Sequence, residues 1–395
     1  MSWSVVLGAV TAVLYATTVD HLPSESQLTA QRVLEVFTIV WVVSLGAIVG
    51  SFLNVVVYRM PRGMSLNHPK SHCPDCLTPI QGRDNLPILG WLMLRGRCRA
   101  CRAAIPLRYP LVESAIAVVF LVLLLAELLR GGANLPLRIP NATHGNPVLW
   151  IIWYTKWDIV GIFLYHAVLL TMLASVALIA LDGFAPPRRL LVIGLCVGVF
   201  APIVWPGLHP VPCWTPRPAW LSNLRWEASW TDQYFSPGWS MTVGLGLDGL
   251  LDSTAGAAAG LALGWVSTWK HWKPVSAQGL RGAWLLAGVY LGWQACALAS
   301  LLFGTALMLL AAVNWSHRHL QLPVWAPLAL WCTLIVQIPY WEVLNGLLLR
   351  LGSEGAQDLS QAGVVACGSA AFLAVTAALA GNWLACRTHD SSVCN

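Results

Sequence analysis

About nine stretches of the chain are apolar over roughly 20 residues, the length that an α-helix needs to cross a bilayer. Only 10% of the residues are charged, whereas a soluble domain carries about 25%. The sequence therefore predicts an all-α polytopic membrane protein with about nine transmembrane helices. The stretches lie near 3–19, 34–58, 111–129, 159–181, 190–207, 247–268, 283–313, 323–348 and 364–385.

Two of these stretches leave alternatives open. The stretch 283–313 is longer than one span needs and contains Gly304, so it is either one helix or two short helices in a tight hairpin. The first stretch has no basic residue before it and no clear cleavage site of small residues. We expect an uncleaved first transmembrane helix there, with a removed signal peptide as the alternative.

The basic residues predict how the chain is oriented in the membrane. The loop 59–110 carries nine Lys or Arg residues against two acids, Asp75 and Asp84. Because positive loops stay on the cytoplasmic side, we expect this loop to be cytoplasmic, and 130–157 and the Trp-rich loop 208–246 to be extracytoplasmic. The net charge of +6 thus reflects topology, and no nucleic-acid partner is expected.

Two Cys-x-x-Cys pairs lie in the basic loop. Cys73 and Cys76 form the first pair, and Cys98 and Cys101 form the second. This spacing is close to that of zinc ribbons and knuckles, in which two tight turns each offer two thiolates to one tetrahedral ion. The alternatives are four unliganded thiols or two disulfides, and a reducing cytoplasmic compartment disfavours disulfides. The sequence therefore predicts a small cytoplasmic zinc-binding loop domain.

Acidic residues within or beside the apolar stretches are candidates for function, because ionisable groups are costly in a membrane. Asp182 is the most interesting, since it follows an apolar run and precedes GFAPPRRL at the predicted cytoplasmic boundary. It is either a helix-terminal acid paired with Arg188 or Arg189, or half of a catalytic carboxylate pair. The other candidates are Glu113, Glu127, Asp158, Asp248, Asp252 and Glu342.

The first third of the chain resembles a known family. The segments are GSFLNVVVYRMPRG, CPDC, RDNLPILGWLMLRGRCRAC and IPLRYPLVES, in that order. They are similar to the N-terminal region of bacterial prepilin peptidases, the type IV leader peptidases and N-methyltransferases. The resemblance implies an intramembrane aspartic endopeptidase of the bacterial inner membrane that cleaves leaders from type IV prepilins or type II secretion pseudopilins. It also implies structural zinc on the four cysteines, and S-adenosylmethionine if the new N-terminus is methylated.

Peptide hydrolysis by paired carboxylates needs one ionised acid to activate water and one protonated acid to polarise the carbonyl. The family's first acidic motif has the form I-D-x-D, and its counterpart here is IALDGFAPPRRL, with Ala180 at the first acidic position and Asp182 at the second. The second motif, Gly-x-Gly-Asp-x-Lys, aligns best with GLRGAW, where Leu280 replaces the aspartate and Gly282 the lysine. A competing register uses LDSTAGAAAGLALGW and Asp252.

Two functions follow as hypotheses. The first is a working prepilin peptidase in which Asp182 pairs with Asp252 or Asp248. The alternative is a catalytically degenerate homologue that acts as a prepilin-binding or assembly factor. The predicted regions are 1–58 for the N-terminal helices, 59–110 for the zinc loop, 111–348 for a peptidase-like bundle, and 349–395 for the C-terminal helix and tail.

Overall fold

The computed structural model describes the following residues: 25–136, 148, 151, 157–205, 208–209, 211, 228–230, 241–243, 247–268, 274–317, 322–344 and 346. The apolar stretches 3–19 and 364–385 and most of the Trp-rich loop 208–246 lie outside these residues.

The described chain is mainly helical. Its one departure from an all-α architecture is a short antiparallel hairpin of β1 (Ala228–Trp230) and β2 (Met241–Val243), which pairs Ser229 with Thr242. The helices are α1 (Glu25–Arg59), α2 (Leu89–Met93), α3 (Arg108–Leu123), α4 (Trp157–Leu181), α5 (Arg188–Val204), α6 (Leu247–Ser267), α7 (Pro274–His317) and α8 (Leu322–Gln337). Short 3₁₀ turns span Met60–Arg62 and Gly82–Asn85, and α3 continues as a π-helix over Leu124–Leu128.

Four helical stretches among the described residues are long and apolar enough to cross a membrane. They are Glu25–Arg62, Arg108–Leu128, Ile159–Leu181 and Pro274–Ala312. The predicted count of about nine spans is not confirmed.

Helices α1 and α3 pack closely through a pair of glycines four residues apart. A side chain at Gly46 would come 2.9 Å from the Ala117 backbone, and one at Gly50 would come 2.8 Å from the backbone of Glu113. Small residues at this spacing let two membrane helices approach backbone to backbone. The pairing also makes α1 and α3 antiparallel, since the lower-numbered glycine contacts the higher-numbered partner.

Helix α7 is a hairpin of two helical arms. Gly292 has non-helical backbone angles, φ 80° and ψ 171°. The rings of Trp284 and Phe303 lie edge to face with centroids 5.5 Å apart, although a straight helix would separate them by about 28 Å. The arms 274–291 and 293–317 therefore fold back on each other. The predicted hairpin form is correct, but the chain turns at Gly292 and not near Gly304.

Glycines also bring α6 against the first arm of α7. Side chains at Gly256 and Gly260 would collide with the carbonyls of Gly288 and Trp284, and one at Gly264 would meet the Arg281 backbone. This order makes the two segments antiparallel and fixes which residues share an end of the bundle. We call the end that contains Arg108, Asp182 and Gly279 the loop end, because it adjoins the cysteine loop.

Candidate functional site

The two cysteine pairs adopt matching turns. In each, the residue after the second cysteine has a positive φ, 57° at Leu77 and 64° at Arg102. Its N–H donates to the carbonyl of the first cysteine, at 2.9 Å for Leu77 to Cys73 and 3.0 Å for Arg102 to Cys98. A short bridge closes each turn, His72 with Pro79 in the first and Arg97 with Ala104 in the second. The repeated sequence Cys-x-x-Cys thus folds twice into the same knuckle.

The two knuckles face each other and gather their sulfurs. The Sγ atoms of Cys73, Cys76, Cys98 and Cys101 all lie within 4.8 Å of one another. Cys73 and Cys101 are 3.7 Å apart, and Cys76 and Cys98 are 4.0 Å apart. A tetrahedral ion with Zn–S bonds of about 2.3 Å requires sulfurs about 3.8 Å apart. The four residues therefore fit a metal of this kind, and as free thiols they do not match the disulfide alternative.

The electrostatics of the cluster favour a bound cation. The Thr78 hydroxyl, 3.3 Å from Cys76 Sγ, together with the Thr78 N–H, lowers the pKa of Cys76 to about 6. The N–H groups of Cys101 and Ala100 lower the pKa of Cys98. The Ala103 N–H acts in the same direction on Cys101, yet burial and the other three thiols raise its pKa to about 12. Four thiolates at this spacing thus need a positive charge among them.

Side chains outside the cysteine pattern hold the loop together. Arg59, only 9% exposed, donates to the carbonyls of Ser65 and Pro69 at 3.0 and 2.7 Å, which fixes the chain as it leaves α1. Arg99 donates two hydrogen bonds, of 2.5 and 2.8 Å, to the Asp84 carboxylate and lowers the pKa of that carboxyl. Sequence reasoning treated these arginines as topology signals and missed their structural contacts.

Glu113 connects the loop to the bundle. Its carboxylate, on α3, accepts the backbone N–H of Ile88 at 2.6 Å, and the residue is 8% exposed. Ile88 has a φ of 61°, a conformation that is strained for a β-branched residue. The bond fixes the start of α2 against the loop end of the bundle. Glu113 was expected as one of several membrane acids, and this partner was not predicted.

Asp182 lies at the loop end, as the sequence predicted, but its partner is different. Its two carboxylate oxygens accept hydrogen bonds from Arg108 at 2.5 and 2.9 Å. As an ion-paired acid it was expected to contact Arg188 or Arg189, and as a catalytic acid a second carboxylate. Arg108 begins α3 and Asp182 follows the end of α4, so the ion pair joins two helix ends that are far apart in sequence. Next to it, the Arg62 guanidinium lies over the Phe184 ring at 4.6 Å.

The structure does not bring Asp182 and Asp252 together. Asp252 and its neighbour Ser253 are buried beside Gly198 of α5, whose carbonyl also accepts the Tyr165 hydroxyl. Gly198 lies ten residues from the start of α5, and Tyr165 lies 17 residues before Asp182. Asp252 is therefore roughly 20 Å from the loop end. Asp248 lies one helical turn farther along α6. The expected pairing of Asp182 with Asp252 or Asp248 is therefore not made, because these acids lie at opposite ends of the bundle.

The segments that align with the family's two acidic motifs do meet. A side chain at Gly279 would be 3.4 Å from Cβ of Ala180, which brings the start of α7 to the end of α4. Ala180 is 3% exposed, and Leu280 is fully buried. The register in which Leu280 stands at the second acidic position, like the register that uses Asp252, stays a prediction. At both aligned positions the side chain is apolar.

A further ionisable pair lies at the opposite end of the bundle. Glu127, in the π-helical turn, and His166 of α4 are both fully buried and contact each other through Glu127 Oε1 and His166 Nδ1. Glu127 was among the candidate acids, whereas His166 was missed. A histidine inside an apolar run was the available signal, because an ionisable group in a span is expected to have a partner.

Comparisons with known proteins agree on the N-terminal third of the chain. The family model of the Bacterial Peptidase A24 N-terminal domain matches residues 44–126. A Type 4 prepilin-like proteins leader peptide-processing enzyme of Escherichia coli O78:H11 (strain H10407 / ETEC) is 48% identical over 94 residues, covering 19% of this chain and 35% of the relative.

Two further relatives carry the name Prepilin leader peptidase/N-methyltransferase. The protein of Myxococcus xanthus (strain DK1622) is 49% identical over 76 residues, covering 19% of this chain and 23% of the relative. That of Neisseria gonorrhoeae is 38% identical over 112 residues, covering 22% and 39%.

The chain thus spans well under half the length of the curated relatives it matches. No solved structure matches it. The matched region contains α3, both cysteine knuckles and most of the glycine-rich contact between α1 and α3. Through this region, with its four clustered cysteines, the chain is similar to bacterial prepilin leader peptidases.

Proposed function

We propose that this protein binds type IV prepilins or pseudopilins in the inner membrane of a bacterium, with its cysteine loop on the cytoplasmic side. The relatives are named for acting on prepilins, and the family model that matches the chain includes the entire cysteine loop. Nine basic residues in the region 59–110 support the cytoplasmic orientation. The proposed partner is accordingly the prepilin, which the protein would bind within the lipid bilayer.

We further propose that the four cysteines hold one structural zinc ion. The sulfur spacing supports a tetrahedral S₄ site, which is typical of zinc and also of iron–sulfur centres. Such an ion would cross-link the two knuckles and thereby fix the shape of the loop. Methylation of a pilin N-terminus with S-adenosylmethionine is a second proposed activity, supported by the N-methyltransferase in two relatives' names.

Of the two functional hypotheses, we favour the prepilin-binding or assembly factor. The observation that carries it is the contact between the segments of Ala180 and Leu280, where an aspartic endopeptidase of this family needs carboxylates. Two close carboxylates share a proton and thereby supply the acid and the base of peptide hydrolysis. Two buried apolar side chains supply neither, and the nearby Asp182 is engaged by Arg108.

The endopeptidase remains the second candidate, because relatives that resemble the chain are named as peptidases or leader-processing enzymes. It requires Asp182 to leave Arg108 and to find a second acid at the loop end. Asp252 would have to approach from roughly 20 Å away, a rearrangement of the whole α4–α6 packing.

Co-expression with a tagged prepilin, in a host without its own prepilin peptidase, separates the two. We expect the prepilin to keep its leader, as read by intact mass, and to co-purify with the protein. Cys98→Ser should reduce this co-purification if the loop forms part of the binding surface. Cleavage by the wild-type chain that is lost in Asp182→Asn or Asp252→Asn would establish the endopeptidase instead.

A gain-of-function variant tests the motif alignment directly. Ala180→Asp combined with Leu280→Asp places two carboxylates at the aligned positions, and Ala180→Asn with Leu280→Asn is the matched control of similar shape. Leader cleavage by the Asp variant alone would support the proposed degeneration. Cleavage by neither variant, in folded protein that still binds prepilin, would count against the alignment.

A further inference from the structure

The cysteine loop presents an apolar face although it is the most basic part of the chain. Leu86, Leu89, Leu92 and Met93 are between 47% and 58% exposed, and we call these four residues the apolar patch. They lie on and just before α2. Large apolar side chains grouped on a surface usually mark a contact with a protein or a membrane.

The rest of α2 turns inward, so its outward face is well defined. Trp91 donates its indole N–H to the carbonyl of Ile105 at 3.0 Å. Gly90 packs so tightly that a side chain there would come 2.3 Å from the carbonyl of Asp84. Since these two residues fix one side of α2 to the loop, Leu89, Leu92 and Met93 are held on the opposite side.

The contact between Glu113 and Ile88 sets the depth of α2 relative to the membrane. Glu113 lies five residues after Arg108, where the span begins, which is about 7.5 Å along the helix. Side chains of a helix lean toward its N-terminus, so the carboxylate lies near the first turn of the span. Ile88, hydrogen-bonded to it at 2.6 Å, must lie at the same level.

The length of this span leaves no room for α2 to stand clear of the bilayer. Arg108–Leu128 contains 21 residues, or about 31 Å of helix, against a hydrocarbon core of about 30 Å. The first turn of α3 therefore lies at the boundary between headgroups and acyl chains. Leu107 and Leu111, at this boundary, are themselves 54% and 58% exposed.

Positive charge lies close to the patch in the sequence. Arg95 and Arg97 follow Met93 within four residues, and both are exposed. A basic residue close to an anionic membrane surface contributes about 1 kcal/mol to binding. Apolar residues flanked by arginines form the pattern of an element that lies in the plane of the interface.

We infer that the apolar patch is a membrane-contact surface, inserted at the level of the glycerol and upper acyl region of a phospholipid bilayer, with Arg95 and Arg97 on anionic headgroups. Two contacts then hold the loop against the membrane. The Glu113–Ile88 hydrogen bond joins it to the helical bundle, and the apolar patch joins it to lipid. This inference does not depend on the proposed function. The competing occupant is an apolar protein segment, which the depth of α2 disfavours.

Photo-crosslinking of the full-length protein tests this surface. The photoreactive residue p-benzoylphenylalanine replaces Leu92, and in the control it replaces Gln81, an exposed polar position of the same loop. Both proteins are placed in nanodiscs of zwitterionic lipid with one quarter anionic phospholipid. We expect lipid adducts, identified by mass, at least tenfold more abundant at position 92 than at position 81.

A second measurement tests the charged part. Arg95→Gln with Arg97→Gln should lower the adduct yield at position 92 severalfold in anionic nanodiscs and leave it unchanged in purely zwitterionic ones. Equal yields of lipid adduct at positions 92 and 81 would overturn the inference. Position 92 adducts formed in cells with a protein and not with lipid would also overturn it and would identify a protein-docking face.

Discussion

Glu127 and His166 form a carboxylate–imidazole pair in the interior of the bundle, with Oε1 of Glu127 2.5 Å from Nδ1 of His166 and both side chains fully buried. Among the described residues, the second oxygen of Glu127 and Nε2 of His166 have no hydrogen-bond partner. The pair joins the π-helical end of α3 to α4. Because neither side chain has another hydrogen-bond partner in the described part of the chain, removing one would leave the other buried and unpaired.

Removing one member of this pair should therefore be more damaging than removing both. We expect Glu127→Ala to lower the free energy of unfolding by about 3 to 5 kcal/mol, the range for breaking a buried pair. Glu127→Met combined with His166→Leu should be less destabilising than Glu127→Ala. Thermal unfolding in detergent, followed by a conformation-sensitive dye, measures both. A double variant that is less stable than Glu127→Ala would contradict this.

The proposed zinc site predicts a fixed stoichiometry and a local effect of metal loss. Purified protein should contain one zinc per chain, and Cys98→Ser should reduce this to well below one. Because membrane helices satisfy their own backbone hydrogen bonds, loss of the ion should expose 59–110 to limited proteolysis and leave the spans intact. Substantially less than one metal per chain in the wild type, by elemental analysis, would rule out the site.

The pKa values of the cysteines predict an order of thiol reactivity in metal-stripped protein. Thiolates react and thiols do not. Cys76, with its pKa lowered to about 6, should react with iodoacetamide with a midpoint near pH 6, and be largely thiolate at pH 7. Cys101, with its pKa raised to about 12, should react last. Peptide mass spectrometry after timed alkylation gives the order, and zinc-loaded protein is the control, in which all four should be protected.

The positive φ of Leu77 predicts a stabilising substitution. Left-handed backbone is unfavourable by about 1 to 2 kcal/mol for a residue with a side chain, whereas glycine adopts it freely at a smaller entropic cost. Leu77 is 69% exposed, so little packing is lost. Leu77→Gly should tighten metal binding roughly two- to fivefold in competition with a chelator. Leu77→Ala, which retains the strain, should show no gain, and equal affinity of all three proteins would refute the argument.

The cysteine loop was the part of the chain most accessible to sequence reasoning. Two Cys-x-x-Cys pairs define their own local turns, and their spacing predicted that the four sulfurs gather around one ion. The contacts that brace the loop were not accessible in the same way. The Arg99–Asp84 and Glu113–Ile88 contacts join residues that are 15 and 25 positions apart. The sequence offers several other charged residues in the loop as equally plausible partners.

In the membrane half, apolar runs located helices but not their partners. The ion pair considered for Asp182 was with Arg188 or Arg189, which are near in sequence, yet Arg108 contacts it from the start of α3. One alternative placed a chain reversal near Gly304, in the middle of the apolar run, but it occurs at Gly292, where α6 packs closely through Gly256. Helix packing determines these side-chain partners and the position of the chain reversal, and neither can be derived from hydropathy.

The reversal at Gly292 also bears on how the chain enters the membrane. A single glycine, with no polar loop, separates the two arms of α7, so an insertion machinery has no hydrophilic stretch to pull across the bilayer on its own. We therefore expect the two arms to enter together as a helical hairpin, held by the edge-to-face contact of Trp284 with Phe303. Such a hairpin would keep both ends of α7, residues 274 and 317, on the same side of the bilayer.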